Sequence, residues 1–420
     1  MRTKLKLLFA IMVLSTSVIA QTNSLTLEQV WQISRENYPL IKQRDLIRRT
    51  ADLSIENINS NYYPQVALLG QASWQSDVTH FNISVPGVKA PLVPQDQYKI
   101  AADLSQTIYD GGINRQQKQV QDLNASVETE KVEVELYKLK ERITQVYLAI
   151  LFLDEQLSQT ELIRADLKTA IKTIDAQVTN GVAFRSSLNL LQAELLKADQ
   201  RTVELNATRK GYVETLGVFL NQKLPIDVKL ERPQAPMINS TINRPELKLF
   251  ASQDKLIDAQ DNLIDAKNTP RASVFMQGGY GRPGLNMLDD NFKLFYIGGL
   301  RLNWSLSGFY TSKKEKEIIE LSRKTVDVQK EAFLLNTRAS LTQQQAEIDK
   351  LQQLVATDQE IIQLREKVKQ AAQSQLDNGV ITPNDFLSEV NAEDQARRQL
   401  ITHQLQLLQA QINYQIISGN

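Results

Sequence analysis

Downstream of residue 130, apolar side chains fall at Val132, Leu136, Leu139, Ile143, Val146, Ile150, Leu153 and Leu157, in steps that alternate between three and four. The register resumes at Leu167, Ile171, Ile174 and Val178. This is a heptad seam, which buries itself by supercoiling against a partner helix. Neither Gly nor Pro interrupts residues 113–179, so at about 1.5 Å per residue one helix could run on the order of 100 Å. Asn180-Gly181 supplies a left-handed stop, and a second seam returns through Leu188, Leu191, Leu195, Ala198, Leu205, Tyr212 and Phe219. The plan repeats with Ile318, Leu321, Val328, Leu335, Ile348, Leu351 and Val355, a stop at Asn378-Gly379, and a return to Ile417. The pattern predicts two long antiparallel helical hairpins, over about 112–220 and about 309–417.

Elsewhere the period drops to two. Val66, Leu68, Gly70, Ala72 and Trp74 alternate with mostly polar neighbours, as do Tyr98, Ile100, Ala102, Leu104 and Ile108. In the second half, Ala272, Val274, Met276 and Tyr280 form one apolar side, and Leu294, Tyr296, Leu300, Leu302, Trp304 and Leu306 another. Strands are therefore predicted at about 65–77, 98–108, 271–281 and 293–306. About ten alternating residues is the length that crosses an outer membrane when tilted. Four strands cannot close a barrel, and lipid offers open edges no partner, so a membrane reading requires several chains to share one barrel. Two chains would fill their own interior; three would supply twelve strands around a lumen.

The two halves are copies of one plan. Asn180-Gly181-Val182 recurs as Asn378-Gly379-Val380, 198 positions on, and Leu104 answers Leu302 at the same offset. Pro39 and Pro64 answer Pro245 and Pro270 at 206. An offset that changes once marks one loop of different length, placed in the strand connection at Phe81–Gln97 against Arg282–Phe292. The expected division is a leader at 1–20, a first repeat at 21–221, a linker at 222–243 and a second repeat at 244–420.

The leader is read from Arg2, Lys4 and Lys6, the apolar run Leu7–Leu14 and the small-residue end Val18-Ile19-Ala20, which is the order of a secretory signal. No cysteine is present to form a disulfide or accept a lipid. With 48 basic and 48 acidic residues the formal charge is zero, which argues against nucleic acid as a partner. No later stretch is apolar for long enough to span a bilayer as a helix. The two histidines, His80 and His403, have no carboxylate or thiol constellation near them in sequence. Gly278-Gly279-Tyr280-Gly281 lacks the Lys-Ser/Thr of a phosphate loop, and its glycines are read as relieving crowding or bending a strand. No catalytic, cofactor or metal site is expected.

The duplicated plan, the strand-to-helix junctions Leu104–Gly112 and Leu302–Leu306, and the two Asn-Gly-Val tips together resemble the TolC-type outer-membrane efflux channels. The resemblance covers essentially all of the mature chain. It implies a fold that is mainly α with transmembrane β: a homotrimer with a shared twelve-stranded barrel in outer-membrane lipid and a tunnel of antiparallel coiled-coil helices through the periplasm. A mixed band around the middle would draw on Leu25–Tyr62, Gln222–Leu263 and the chain end. It also implies that the hairpin tips, Gly181, Val182, Ala183 and Phe184 in one half and Gly379, Val380, Ile381 and Thr382 in the other, meet a periplasmic adaptor and inner-membrane pump and close the pore entrance. Asp385 occupies the position, six residues past the tip glycine, whose copies ring the pore in such channels; Ser187 stands there in the first half. Asp385 also reads simply as a first-turn carboxylate favoured by its helix dipole. The alternative function is a soluble periplasmic coiled-coil adaptor or scaffold, which would not need two strand pairs.

Overall fold

The computed structural model describes residues 24–79 and 93–420; the expected leader and His80 lie outside them. In order, the elements are α1 (Leu27–Asn37), α2 (Ile41–Asn59), β1 (Gln65–Trp74), β2 (Asp96–Tyr109), α3 (Ile113–Thr179), α4 (Arg185–Leu220), α5 (Pro245–Lys267), β3 (Arg271–Arg282), β4 (Lys293–Asn303), α6 (Gly308–Asp377) and α7 (Pro383–Ser418). Helices α3 and α6 run 67 and 70 residues, and α4 and α7 each run 36. No described helix is long and apolar enough to cross a membrane.

The chain divides into two compact units. The sheet unit comprises Lys42–Val134 and Pro245–Leu334; the hairpin unit comprises the described residues up to Ile41, with Glu135–Arg244 and Leu335–Asn420. The band expected from Leu25–Tyr62 and Gln222–Leu263 is split between them. α1 and the segment around Leu230 belong to the hairpin unit, where Leu25 and Leu230 form a parallel bridge, while α2 and α5 belong to the sheet unit.

In the hairpin unit, Thr26 and Gln29 cap α1 reciprocally, each side chain bonding the other's amide. The helix then buries Leu27 and Val30 in a core shared with Ile143, Tyr147 and Ile150 of α3, Leu216 and Leu220 of α4, and Leu408 and Ile412 of α7. The fully buried Tyr147 places its hydroxyl 2.6 Å from the carbonyl oxygens of both Leu25 and Glu231. Burial pushes its phenol well above the usual range, so it stays protonated and donates. Nearby, the buried Arg209 guanidinium pairs with Asp154 and donates to the carbonyls of Ile226 and Val228. These bonds give the irregular backbone after α4 the partners it would otherwise take from water.

The sheet unit holds one antiparallel sheet in the order β1-β2-β3-β4. The two halves of the chain meet at its centre, where β2 pairs with β3 in the register Leu104↔Met276 and Ile100↔Tyr280. The period-2 pattern places Val66, Leu68, Leu104, Ile100, Met276, Leu294, Leu300 and Leu302 on one face. That face is uncovered: Leu68, Leu300 and Leu294 are 75%, 81% and 84% exposed. β1 stops at Trp74 rather than near 77, because past a last bond from the Gln75 amide to Gln95 the Asp77 carboxylate turns in to accept the Val78 amide. β4 stops at Asn303 rather than near 306, because the Trp304 indole donates to the Asn268 carbonyl and the turn into α6 begins. Past Tyr109, the Asp110 carboxylate accepts the amides of Gly112 and Asn114 and so starts α3.

Gly279 is the point of closest approach in the sheet. A Cβ there would lie 2.5 Å from the Ile100 carbonyl oxygen and 2.7 Å from the Phe295 ring, whereas one at Gly70 would meet nothing within 4 Å. Gly279→Ala is therefore expected to destabilise the sheet by about 1–3 kcal/mol through overpacking. Gly70→Ala should change stability by less than about 0.5 kcal/mol. Thermal unfolding of the full chain in detergent, followed by far-ultraviolet circular dichroism, compares the two.

Candidate functional site

Two regions carry candidate function, one in each unit. At the hairpin tips, the backbone closes identically twice. The Val182 amide donates to the Gln177 carbonyl at 2.8 Å and the Gly181 amide to Val178 at 3.0 Å; Val380 and Gly379 repeat this with Gln375 and Leu376 at 2.8 and 3.0 Å. These are Schellman closures, which require a left-handed residue at the turn. Gly181 and Gly379 supply it with φ of +74° and +72°.

Beneath the tips, Leu167 and Ile174 of α3, Leu191 of α4, Leu376 of α6 and Phe386 and Val390 of α7 share one core, so the two hairpins pack as a unit. Ile381 rests on this core, while Val182 and Phe184 are 76% and 82% exposed and Val380 is similarly bare. Farther along the helices the packing turns polar. Lys369 of α6 bridges Asp166 of α3 at 2.8 Å and Glu393 of α7 at 3.5 Å, and Arg397 joins Glu393 to Glu366. Glu393 is almost wholly buried, so its two cations are what allow its charge there. Next to it, burial raises the Asp394 carboxyl, opposed by the Arg398 guanidinium at 2.6 Å.

Asp385 sits at the start of α7, and the sequence reading missed half of what it does there. Thr382 is the N-cap residue: its hydroxyl lies 3.3 Å from the Asp385 amide, and the Asp385 carboxylate in turn accepts the Thr382 hydroxyl at 2.7 Å and its amide at 3.1 Å. The pattern Thr382-x-x-Asp385 is the sequence signature of this reciprocal cap, and Pro383 completes it at the first helical position. The Thr382 bonds hold the Asp385 carboxyl below the usual carboxylate range. In the first half, Phe184 occupies the N-cap with no side-chain bond, and Ser187 offers only an amide bonded to the Phe184 carbonyl.

The other region is the sheet. Aromatic rings mark both ends of its apolar face: Phe292 stacks on Tyr280 and Tyr98 with centroids 5.5 and 6.4 Å apart, and Trp304 meets Phe309 edge-on at 6.3 Å. The 11 residues of β4 span about 33 Å at ~3.3 Å per residue, which at a tilt of about 40° rises about 25 Å, the height of an outer-membrane apolar band. Among the described residues, no group of three or more His, Asp or Glu could hold a metal ion. His403, whose carboxylate neighbour lay 45 positions away and out of sight in the sequence, places Nδ1 2.6 Å from Asp358 Oδ2 across α6 and α7.

The sequence matches no family model and no curated protein. The structure, by contrast, is similar to solved channels over nearly its whole length. CusC, described in terms of folding and transmembrane channel formation, matches with a TM-score of 0.66 at 13% identity, over 94% of this chain and 92% of its own. The Campylobacter jejuni CmeC outer membrane channel matches at 0.62 and 13%, over 94% and 85%. The open state of the Neisseria gonorrhoeae MtrE outer membrane channel matches at 0.63 and 14%, over 93% and 88%. The chain has the TolC-type fold.

The reciprocal cap has a defined pH signature. Because the folded Asp385 carboxyl lies below its ordinary value, the support it lends α7 is present above that value and lost as pH falls through the folded one. Amide hydrogen exchange at residues 385–387 is expected to accelerate below about pH 4 beyond the intrinsic rate. Thr382→Ala, which removes the hydroxyl bond but keeps the amide bond, should weaken that dependence and cost α7 about 1 kcal/mol at neutral pH.

Proposed function

We propose that this chain is the passive exit duct of a tripartite efflux or type I secretion system in the outer membrane of a Gram-negative bacterium. The observation that carries the reading is the sheet. Its apolar face is uncovered, ends in aromatic rings, and belongs to four strands whose outer members, β1 and β4, each have an edge unpaired among the described residues. A soluble adaptor or scaffold would leave that face in water. In lipid the face is satisfied, and the edges are satisfied when copies of the chain join β4 of one to β1 of the next. Three copies supply twelve strands, enough to enclose a lumen, so the assembly is a homotrimer.

The helical hairpins then extend into the periplasm and dock through Gly181–Phe184 and Gly379–Thr382 to an adaptor and an inner-membrane pump that supplies the energy. Val182, Phe184 and Val380, bare in the single chain, supply the contact. At the entrance, three copies of Asp385 form a carboxylate ring that selects cations. The Thr382 cap keeps that carboxylate ionised through the neutral range.

Membrane fractionation with chemical crosslinking is expected to place the protein in the outer membrane as a trimer; a soluble periplasmic monomer would sink the proposal. In planar bilayers, Asp385→Ala should weaken block by multivalent cations, and unchanged block and selectivity would remove that residue from the mechanism.

A further inference from the structure

The face of the sheet opposite its apolar side has a charge of one sign. Pairing places Lys99, Asp103, Arg271, Lys293 and Arg301 there, four cations against one carboxylate. Lys293 is neutralised by Asp289, which leaves three cations to Asp103. Among the described residues none of the three has an ion-pair partner. Two are held by aromatic rings instead: the Arg301 guanidinium lies 4.6 Å from the Phe275 ring centroid, and Lys99 Nζ lies 4.8 Å from that of Phe295 and 3.4 Å from Gln277 Oε1. An aromatic face positions a cation without cancelling its charge, so these groups are fixed yet still available to an anion. On β2 this face is the more enclosed one: Lys99, Ala101 and Asp103 are half-buried or buried, whereas Tyr98, Ile100 and Ala102 are exposed. That alternation is the mark of a sheet curled toward its polar side.

We propose that this face is an anion-attracting lining, and that solutes carrying carboxylate, phosphate or other negative charge are favoured along it. The inference rests on the channel reading, in which this face borders the lumen. Three copies would present nine unpaired cations against three carboxylates, a fixed potential that concentrates counter-ions. Its polarity is opposite to that of the Asp385 ring, so the duct contains two filters in series, and the sheet's contribution is read most clearly with the acidic one removed.

The test uses the full-length protein in planar bilayers under a potassium chloride gradient at low salt, with the zero-current potential as readout. In the Asp385→Asn background, chloride should be favoured over potassium. Combining Lys99→Gln, Arg271→Gln and Arg301→Gln should lower the chloride-to-potassium permeability ratio by about twofold or more. The difference should fade at 1 M salt, where the screening length is about 3 Å. Arg271→Gln alone, which disturbs no aromatic contact, should give part of the effect and decides the matter if the triple variant fails to assemble. Cation preference in the Asp385→Asn channel, or a ratio unchanged by the substitutions, overturns this inference and leaves the channel reading intact. Absence of conductance in the unsubstituted protein overturns both.

Discussion

A β-sheet satisfies its interior backbone and leaves two edges that it cannot satisfy. In water those edges are tolerable; beside an apolar face placed in lipid they would not be, since lipid neither donates nor accepts hydrogen bonds. The sheet of this protein has both properties at once, because Leu68, Leu294 and Leu300 are bare while β1 and β4 stand at its margins. The join of β2 to β3 across distant parts of the chain leaves only β1 and β4 with that requirement, which neighbouring copies meet in the assembly proposed above. The glycine at 279 belongs to the same account, since the Phe295 ring occupies the space a side chain there would need.

The helical regions pose a similar problem with a different solution. Their seams are apolar enough to pair, yet Leu196, Val203, Leu335 and Leu364 remain exposed in a single chain. Where two hairpins do meet, around Phe386 and Leu376, the apolar packing is tight and then gives way to Lys369, Asp166, Glu393 and Arg397. Buried charges of this kind add little net stability, because desolvation offsets much of their attraction. They do penalise slipped alignments, since a shift of one turn would part Lys369 from Glu393 and Glu366 from Arg397. Long heptad repeats have many such alternative registers.

Most of the architecture was legible in the spacing of apolar residues. Periods of 3.5 and 2 are local properties, and the switch after Pro64, like the stops at Asn180-Gly181 and Asn378-Gly379, is written in adjacent residues. What the spacing did not reveal is long-range. Nothing in α1 or α5 says that one joins the hairpin unit and the other the sheet unit, because an apolar helix face does not specify the partner that covers it. The contacts of Tyr147 with Glu231 and of His403 with Asp358 join positions 84 and 45 apart, through bonds that leave no periodic trace. The cap between Thr382 and Asp385 is different, since its pattern, Thr-x-x-Asp, lies within four adjacent residues.

The closure of the tips has one more implication. Each turn satisfies its own amides and carbonyls internally, through the Gln177 and Gln375 carbonyls. The helix start left without a side-chain cap is that of α4, at Phe184. In the docking proposed above, recognition would fall mainly to the protruding side chains, so a change of partner would call for new residues at Val182, Phe184 or Val380 and no remodelling of the fold beneath them. On that reading the scaffold and its address would be separable, and descendants of such a chain could drift apart in whom they serve while remaining superposable in shape.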